Sequence, residues 1–250
     1  MVDAPAQKRA ELVKLVLVTY AAVAALVTAA VLLLDIELPV VGNVGGAVVA
    51  VVFLYAPVVV GWRRREDLSG YGFTTAPLRR SLITAGIYIG VVGPLFVAGY
   101  VSFHQVACDS PSLVRLLRRA GQCVRFDGWA GIHAPALTLG FLQESAVQLI
   151  VVALPEELFF RGFCLEMLER AFPPRRRILG GGVGLALVIS TAMFALVHLP
   201  RLGVVNGLAT FFPGLVFGWM RSSTRSILAG TVAHASSNML VKFTEALVLR

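Results

Sequence analysis

Three short patterns in the second half of the chain place acid–base and hydrogen-bonding residues at helical spacing. They are Pro155-Glu156-Glu157-Leu158-Phe159-Phe160-Arg161-Gly162, then Phe194-Ala195-Leu196-Val197-His198, then His234-Ala235-Ser236-Ser237-Asn238. Residues four apart share a helix face. On helices, therefore, Glu157 reaches Arg161, Phe194 lies beside His198, and His234 and Asn238 project the same way. Glu156 points about 100° away from Glu157. Pairing with Arg161 ties Glu157 down and leaves Glu156 available.

Peptide hydrolysis needs a base to activate water, donors for the developing oxyanion and an acid for the leaving amine. Glu156 with His198 can hold and deprotonate a water, and His234 and Asn238 can donate to the oxyanion. Losing one such donor typically costs ~100- to 1000-fold in rate. Glu156, His198 and His234 also make a His2Glu set of the kind some catalytic zinc sites use. The H-E-x-x-H arrangement is absent; the residues favour a metal-free mechanism and leave a divalent metal such as zinc open. Each residue also has a purely structural reading. Glu157 and Arg161 could pack two helices as an ion pair, and Phe194 could be core. His198, just before Leu199-Pro200, could sit at a span end, and His234 with Asn238 could bond two helices for ~1 kcal/mol. All of these must hold together for the hydrolytic set to be fortuitous.

The elements that must position these residues are membrane helices. Hydrophobic residues make up 57% of the 250 and charged residues only 14%, with mean hydropathy +0.80, where soluble domains are about 25% charged. That excludes a cytosolic enzyme, a disordered protein and a nucleic-acid binder. A span needs about 20 apolar residues. The chain offers Leu12–Leu34, Asn43–Trp62, Leu82–Val101, a long stretch from Ala136 to Phe172, then Gly182–Leu199, Leu202–Met220 and Ile227–Leu249. The expected fold is an all-α polytopic transmembrane bundle of about seven spans (six to eight). The first run, behind Lys8 and Arg9, is too long for a signal-peptide core and is read as a retained span.

The +8 net charge is a topology signal. With the N-terminus inside, the inner segments hold fifteen basic residues: Lys8, Arg9, Lys14, Arg63–Arg65, Arg79, Arg80, Arg161, Arg170, Arg175–Arg177, Arg221 and Arg225. The outer segments hold six: Arg115, Arg118, Arg119, Arg125, Arg201 and Arg250. The positive-inside rule then gives a cytoplasmic N-terminus and an outer C-terminus. The polar inner linker from Arg63 to Arg80 suits anionic headgroups. Cys108 and Cys123 would share an outer loop, either as a disulfide or as free thiols. Gln143 and Glu144 are read as helix–helix bonding residues, and Lys242 with Glu245 as a snorkelling pair.

The same three patterns resemble those of the CPBP (CAAX-protease and bacteriocin-processing, Abi) family of intramembrane proteases, of which the Ras-converting CAAX endopeptidase is the eukaryotic type. The family pattern is E-E-x-x-x-R, then F-x-x-x-H, then H-x-x-x-N. Glu156, Glu157 and Arg161 match the first, Phe194 and His198 the second, His234 and Asn238 the third, in family order. The resemblance covers roughly residues 143–249 and implies a catalytic core over 136–250, preceded at 1–135 by helices and loops that form no separate domain. It implies an intramembrane endopeptidase of glutamate type, with Glu156 and His198 activating water, His234 and Asn238 as oxyanion site, and Glu157, Arg161 and Phe194 supporting. The implied partners are a membrane protein or peptide substrate and the bilayer. Similar bacterial proteins are linked to peptide maturation, self-immunity and removal of C-terminal sorting tails such as those handled by myxosortases. Two other classes compete. A proton-coupled transporter could use Glu156 and the histidines as a relay, although internal repeats are lacking. A non-catalytic scaffold would need neither base nor oxyanion donors.

Overall fold

The computed structural model describes residues 4–38, 42–117, 120–133 and 138–248. Arg118, Arg119 and Arg250 of the charge count, Ala136 at the start of the fourth expected span and Leu249 at the end of the seventh lie outside the described residues. Helix α1 (Ala4–Leu33) is a long run of Leu, Val and Ala. A two-residue hairpin, β1 (Glu37–Leu38) with β2 (Gly42–Asn43), turns the chain into α2 (Val44–Arg64). Asn43 caps α2, its Oδ1 accepting from the Gly46 N–H at 2.8 Å, and Arg65 closes it in the left-handed conformation at φ 54°. A 3-10 turn at Leu68–Tyr71 leads to α3 (Leu78–Cys108). Two short helices, α4 (Pro111–Leu117) and α5 (Ala120–Arg125), follow, and a Cys108–Cys123 disulfide closes that loop onto the end of α3.

Beyond residue 138 the helices change character. From Leu139 to Ala171 the chain is helical throughout but not regular: α6 (Leu139–Val147), a π segment at Gln148–Ala153, α7 (Leu154–Glu157), a second π segment at Leu158–Cys164, and α8 (Leu165–Ala171). A hairpin of β3 (Arg176–Ile178) and β4 (Gly181–Val183) precedes α9 (Leu185–Val197). Then come α10 (Leu199–Ala209), α11 (Phe211–Thr224) and α12 (Leu228–Val248).

This corrects the expectation of about seven spans. The chain is all-helical apart from its hairpins, but among the described residues only three helices are long and apolar enough to cross a membrane, or four if the pair α10 and α11, bent by 78°, is one broken span. The first three expected spans are those helices. The fourth is divided by its π segments. The fifth loses its start to β4 and its end to His198 and Pro200, leaving 13 residues, about 20 Å. The sixth breaks between α10 and α11, and Gly203 at φ 73° breaks α10 itself. The seventh, α12, has the length, but His234, Ser236, Ser237, Asn238, Lys242 and Glu245 lower its hydropathy.

The molecule has two distinct ends. At one, Glu66 accepts from Arg64 and Arg170, and Glu166 from Arg170 and Arg221, at 2.9 to 3.0 Å. Burial pushes the Glu66 carboxyl up, but the bonds from Arg64 and Arg170 outweigh it and hold that group below the usual carboxylate range. The starts of α1 and α12 belong to this end: Arg9 lies 5.8 Å from the Phe172 ring, and the Ile227 N–H bonds the Gly72 carbonyl. At the other end lie the paired strands β1 and β2, the disulfide and the close of α12, where the His133 N–H bonds the Leu247 carbonyl. Between them, Phe53 of α2 packs at 5.4 Å against both Phe159 and Phe160. The first helices thereby wall in the segment that carries the two glutamates.

Candidate active site

Pro155 lies inside a helix that runs on from the preceding π segment, so it removes one backbone donor just where that segment gives way to α7. Glu156 and Glu157 occupy that single α turn between two π segments. π turns re-aim the side chains that follow and recur at functional sites. Arg161, inside the second of them, still reaches back four residues: its Nη1 donates to Glu157 Oε1 at 2.8 Å. Both side chains are buried, at 1% and 0% exposed. Arg161 is satisfied further by the Gly214 carbonyl, 3.3 Å from Nη2, and by the Phe194 ring face 4.0 Å away. Gly162 is needed beside it, because a Cβ there would come within 2.9 Å of the Tyr71 carbonyl oxygen.

Glu157 also orients a histidine. The Nδ1–H of His234 donates to the same Oε1 at 3.0 Å, since a carboxylate oxygen only accepts. The imidazole stacks on Phe217 at 5.3 Å, and its Nε2 faces Glu156 Oε2 at 3.8 Å. Room for Glu157 comes from Gly230, where a Cβ would meet Oε2 at 2.7 Å. His198 sits where α9 ends and α10 begins. Its Nδ1–H donates to the Phe194 carbonyl at 2.7 Å, which turns Nε2 toward Glu156 Oε2 at 3.6 Å. Two imidazole Nε2 atoms, each fixed from behind, converge on one carboxylate oxygen.

That oxygen has no hydrogen-bond partner among the described residues, although it is buried. An unsatisfied buried acceptor costs ~1–3 kcal/mol, more when charged. Both gaps, 3.6 Å and 3.8 Å, exceed a hydrogen bond. Glu156 and His198 line a cavity of about 320 Å³, walled by Val27 and Val31 of α1 and by Val49 and Phe53 of α2, with Asp35, Asn43 and Arg201 also lining it. Among the described residues no group of three or more His, Cys, Asp or Glu side chains is placed to hold a metal ion.

Six of the seven expected site residues thus meet: Glu156, Glu157, Arg161, Phe194, His198 and His234. Asn238 stands one turn further along α12. Its Nδ2 donates to Gln148 Oε1 at 2.9 Å, Gln148 Nε2 donates to Glu144 Oε1 at 2.9 Å, and Lys242 bonds Glu144. The expected Lys242–Glu245 pair is therefore replaced by a bridge between helices. Sequence reasoning missed Gln148, whose place four residues after Glu144 was a usable signal. It also missed Phe217, Gly214 and Gly230, which carry no chemistry-bearing pattern.

Residues 138–240, less than half of the chain, match the model of the Rce1-like family, described as type II CAAX prenyl endopeptidase Rce1-like. No curated protein and no solved structure matches the chain.

Proposed function

We propose that this chain, whose residues 138–240 match the model of the Rce1-like family of type II CAAX prenyl endopeptidases, is an intramembrane endopeptidase acting on a membrane-associated protein or peptide. The family match supports a hydrolase and the three long apolar helices support a membrane protein. The residue roles are our own reading. One observation carries them: the buried, unpartnered Glu156 Oε2 faces two histidine Nε2 atoms in a cavity wall.

In this mechanism a water held between Glu156 and His198 gives its proton to Glu156 and attacks the scissile carbonyl carbon. The carbonyl oxygen takes up the negative charge. A protonated His234 has an Nε2–H to give it, and the Asn238 amide has a second N–H beyond the one Gln148 accepts. The C–N bond then breaks, and Glu156 passes its proton to the leaving amine. Glu157 and Arg161 act through His234: they fix its ring without touching substrate.

The N-terminus is cytoplasmic and the C-terminus outside on this reading. The arginines gathered at one end of the fold, Arg9, Arg64, Arg170 and Arg221 among them, favour it, and so does the Cys108–Cys123 disulfide, which belongs in an oxidising compartment. The function is tested by mapping new protein termini in membranes and medium from cells carrying wild type or Glu156→Gln. Precursors uncut only in the mutant are expected. Unchanged termini with the mutant folded and inserted would contradict the peptidase, and a solute-uptake assay on the same pair then checks the relay.

A further inference from the structure

The cavity wall and the two ends of the molecule together give the catalytic residues a direction of access. Helix α1 starts at the basic end, where Arg9 meets Phe172. It is 30 residues, about 45 Å, long. Its last turns and the start of α2 are therefore far from that end, and the cavity residues Asp35 and Asn43 lie there, beyond Val27 and Val31. Helix α9 also rises from the basic side: the glycine before it packs against Pro174 and Arg175, and His198 is at its far end. Helix α3 leaves the charged linker at Leu78 and finishes at Cys108, in the disulfide.

The cavity holding Glu156 and His198 thus reaches toward the disulfide end and away from the arginine-rich end. Asp35 and Arg201 bring opposite charges from two different elements to its lining, a setting that admits water and polypeptide backbone. We propose that water and the scissile segment reach Glu156 from the extracytoplasmic face, so that the substrate is a polypeptide stretch exposed on that face beside the membrane. The word substrate rests on the peptidase reading; the direction of access does not.

Thiol labelling tests it. Cys108 and Cys123 are bonded to each other and Cys164 is buried, so the native chain gives little background. Single variants are made on the cavity wall (Val49→Cys), at the outer rim (Arg201→Cys) and in the exposed basic hairpin (Arg176→Cys). They are treated in intact cells with a charged, membrane-impermeant thiol reagent. Val49→Cys and Arg201→Cys are expected to react in intact cells, and Arg176→Cys only after permeabilisation. Labelling of Arg176→Cys in intact cells, or cavity variants silent until cells are opened, overturns the proposal. Arg201 is exposed, so its variant carries the test if Val49→Cys fails to fold. Labelling as expected with no cleavage by wild type rejects the peptidase and keeps the access route. Cleavage with reversed labelling does the opposite.

Discussion

The helices before and after residue 138 solve different problems with the same kind of residue. In α1, α2 and α3 the most apolar windows are only 22%, 22% and 11% buried within the chain, so their Leu, Val and Ile side chains mostly face outward. There the surrounding hydrocarbon sets length and composition, and long regular helices result. The later helices bury Glu156, Glu157, Arg161 and His234 inside the protein. Glu157, Arg161 and His234 meet partners at hydrogen-bonding distance, because an uncompensated buried charge is costly, while Glu156 is left facing two histidines. These helices give up regularity for that: two π segments flank the glutamates, His198 stands at a helix break, and α11 turns 78° from α10.

That contrast can be broken by substitution. The largest effect is expected from Glu156→Gln, which removes the proposed base while keeping its shape. Turnover should fall ~100- to 10,000-fold with the melting temperature unchanged, as single-turnover assays and thermal unfolding would read. Glu157→Ala should instead act on the fold. It leaves Arg161 charged and buried without its carboxylate and should cost ~3–5 kcal/mol, while pairing it with Arg161→Met should recover much of the loss in detergent unfolding. Asn238→Ala should slow the reaction ~100- to 1000-fold if its amide serves the oxyanion. Gln148→Ala should move the rate the same way but less, since it only orients that amide.

Two milder variants sharpen the other side of the comparison. Glu66 is held below the usual carboxylate range by Arg64 and Arg170. Its contribution to stability is complete above the unfolded-state pKa and is lost as pH falls through the lower folded value. Glu66→Gln should therefore lower stability modestly at neutral pH and flatten the acid side of the profile, the two proteins converging as pH falls, as pH-dependent unfolding would read. Ile87→Val on the exposed face of α3 should fall within about 0.5 kcal/mol of wild type.

What the sequence made legible follows the same division. The first three spans stand out because only hydropathy and length govern them, and Asn43 even marks the start of α2. The i,i+4 spacing gives the Glu157–Arg161 pair directly. The later helices were misjudged as four more regular spans, because hydropathy does not register a π turn or a break at His198-Leu199-Pro200. Spacing along one helix says nothing of contacts between helices either. It left His234 beside Asn238, whereas the structure ties His234 to Glu157 and Asn238 to Gln148. Nor could it reveal that α1 and α2 wall the cavity at Glu156, since Val31, Val49 and Phe53 are ordinary span residues.

The central claim is that hydrolysis runs through Glu156. The most direct measurement reconstitutes wild type and Glu156→Gln in the same lipid vesicles with a precursor found by terminus mapping, in water enriched in ¹⁸O, and follows a single turnover by mass spectrometry. Wild type should yield two fragments, with one labelled oxygen in the new C-terminal carboxylate, while folded Glu156→Gln leaves the precursor intact. Cleavage by Glu156→Gln at the wild-type rate would contradict the account.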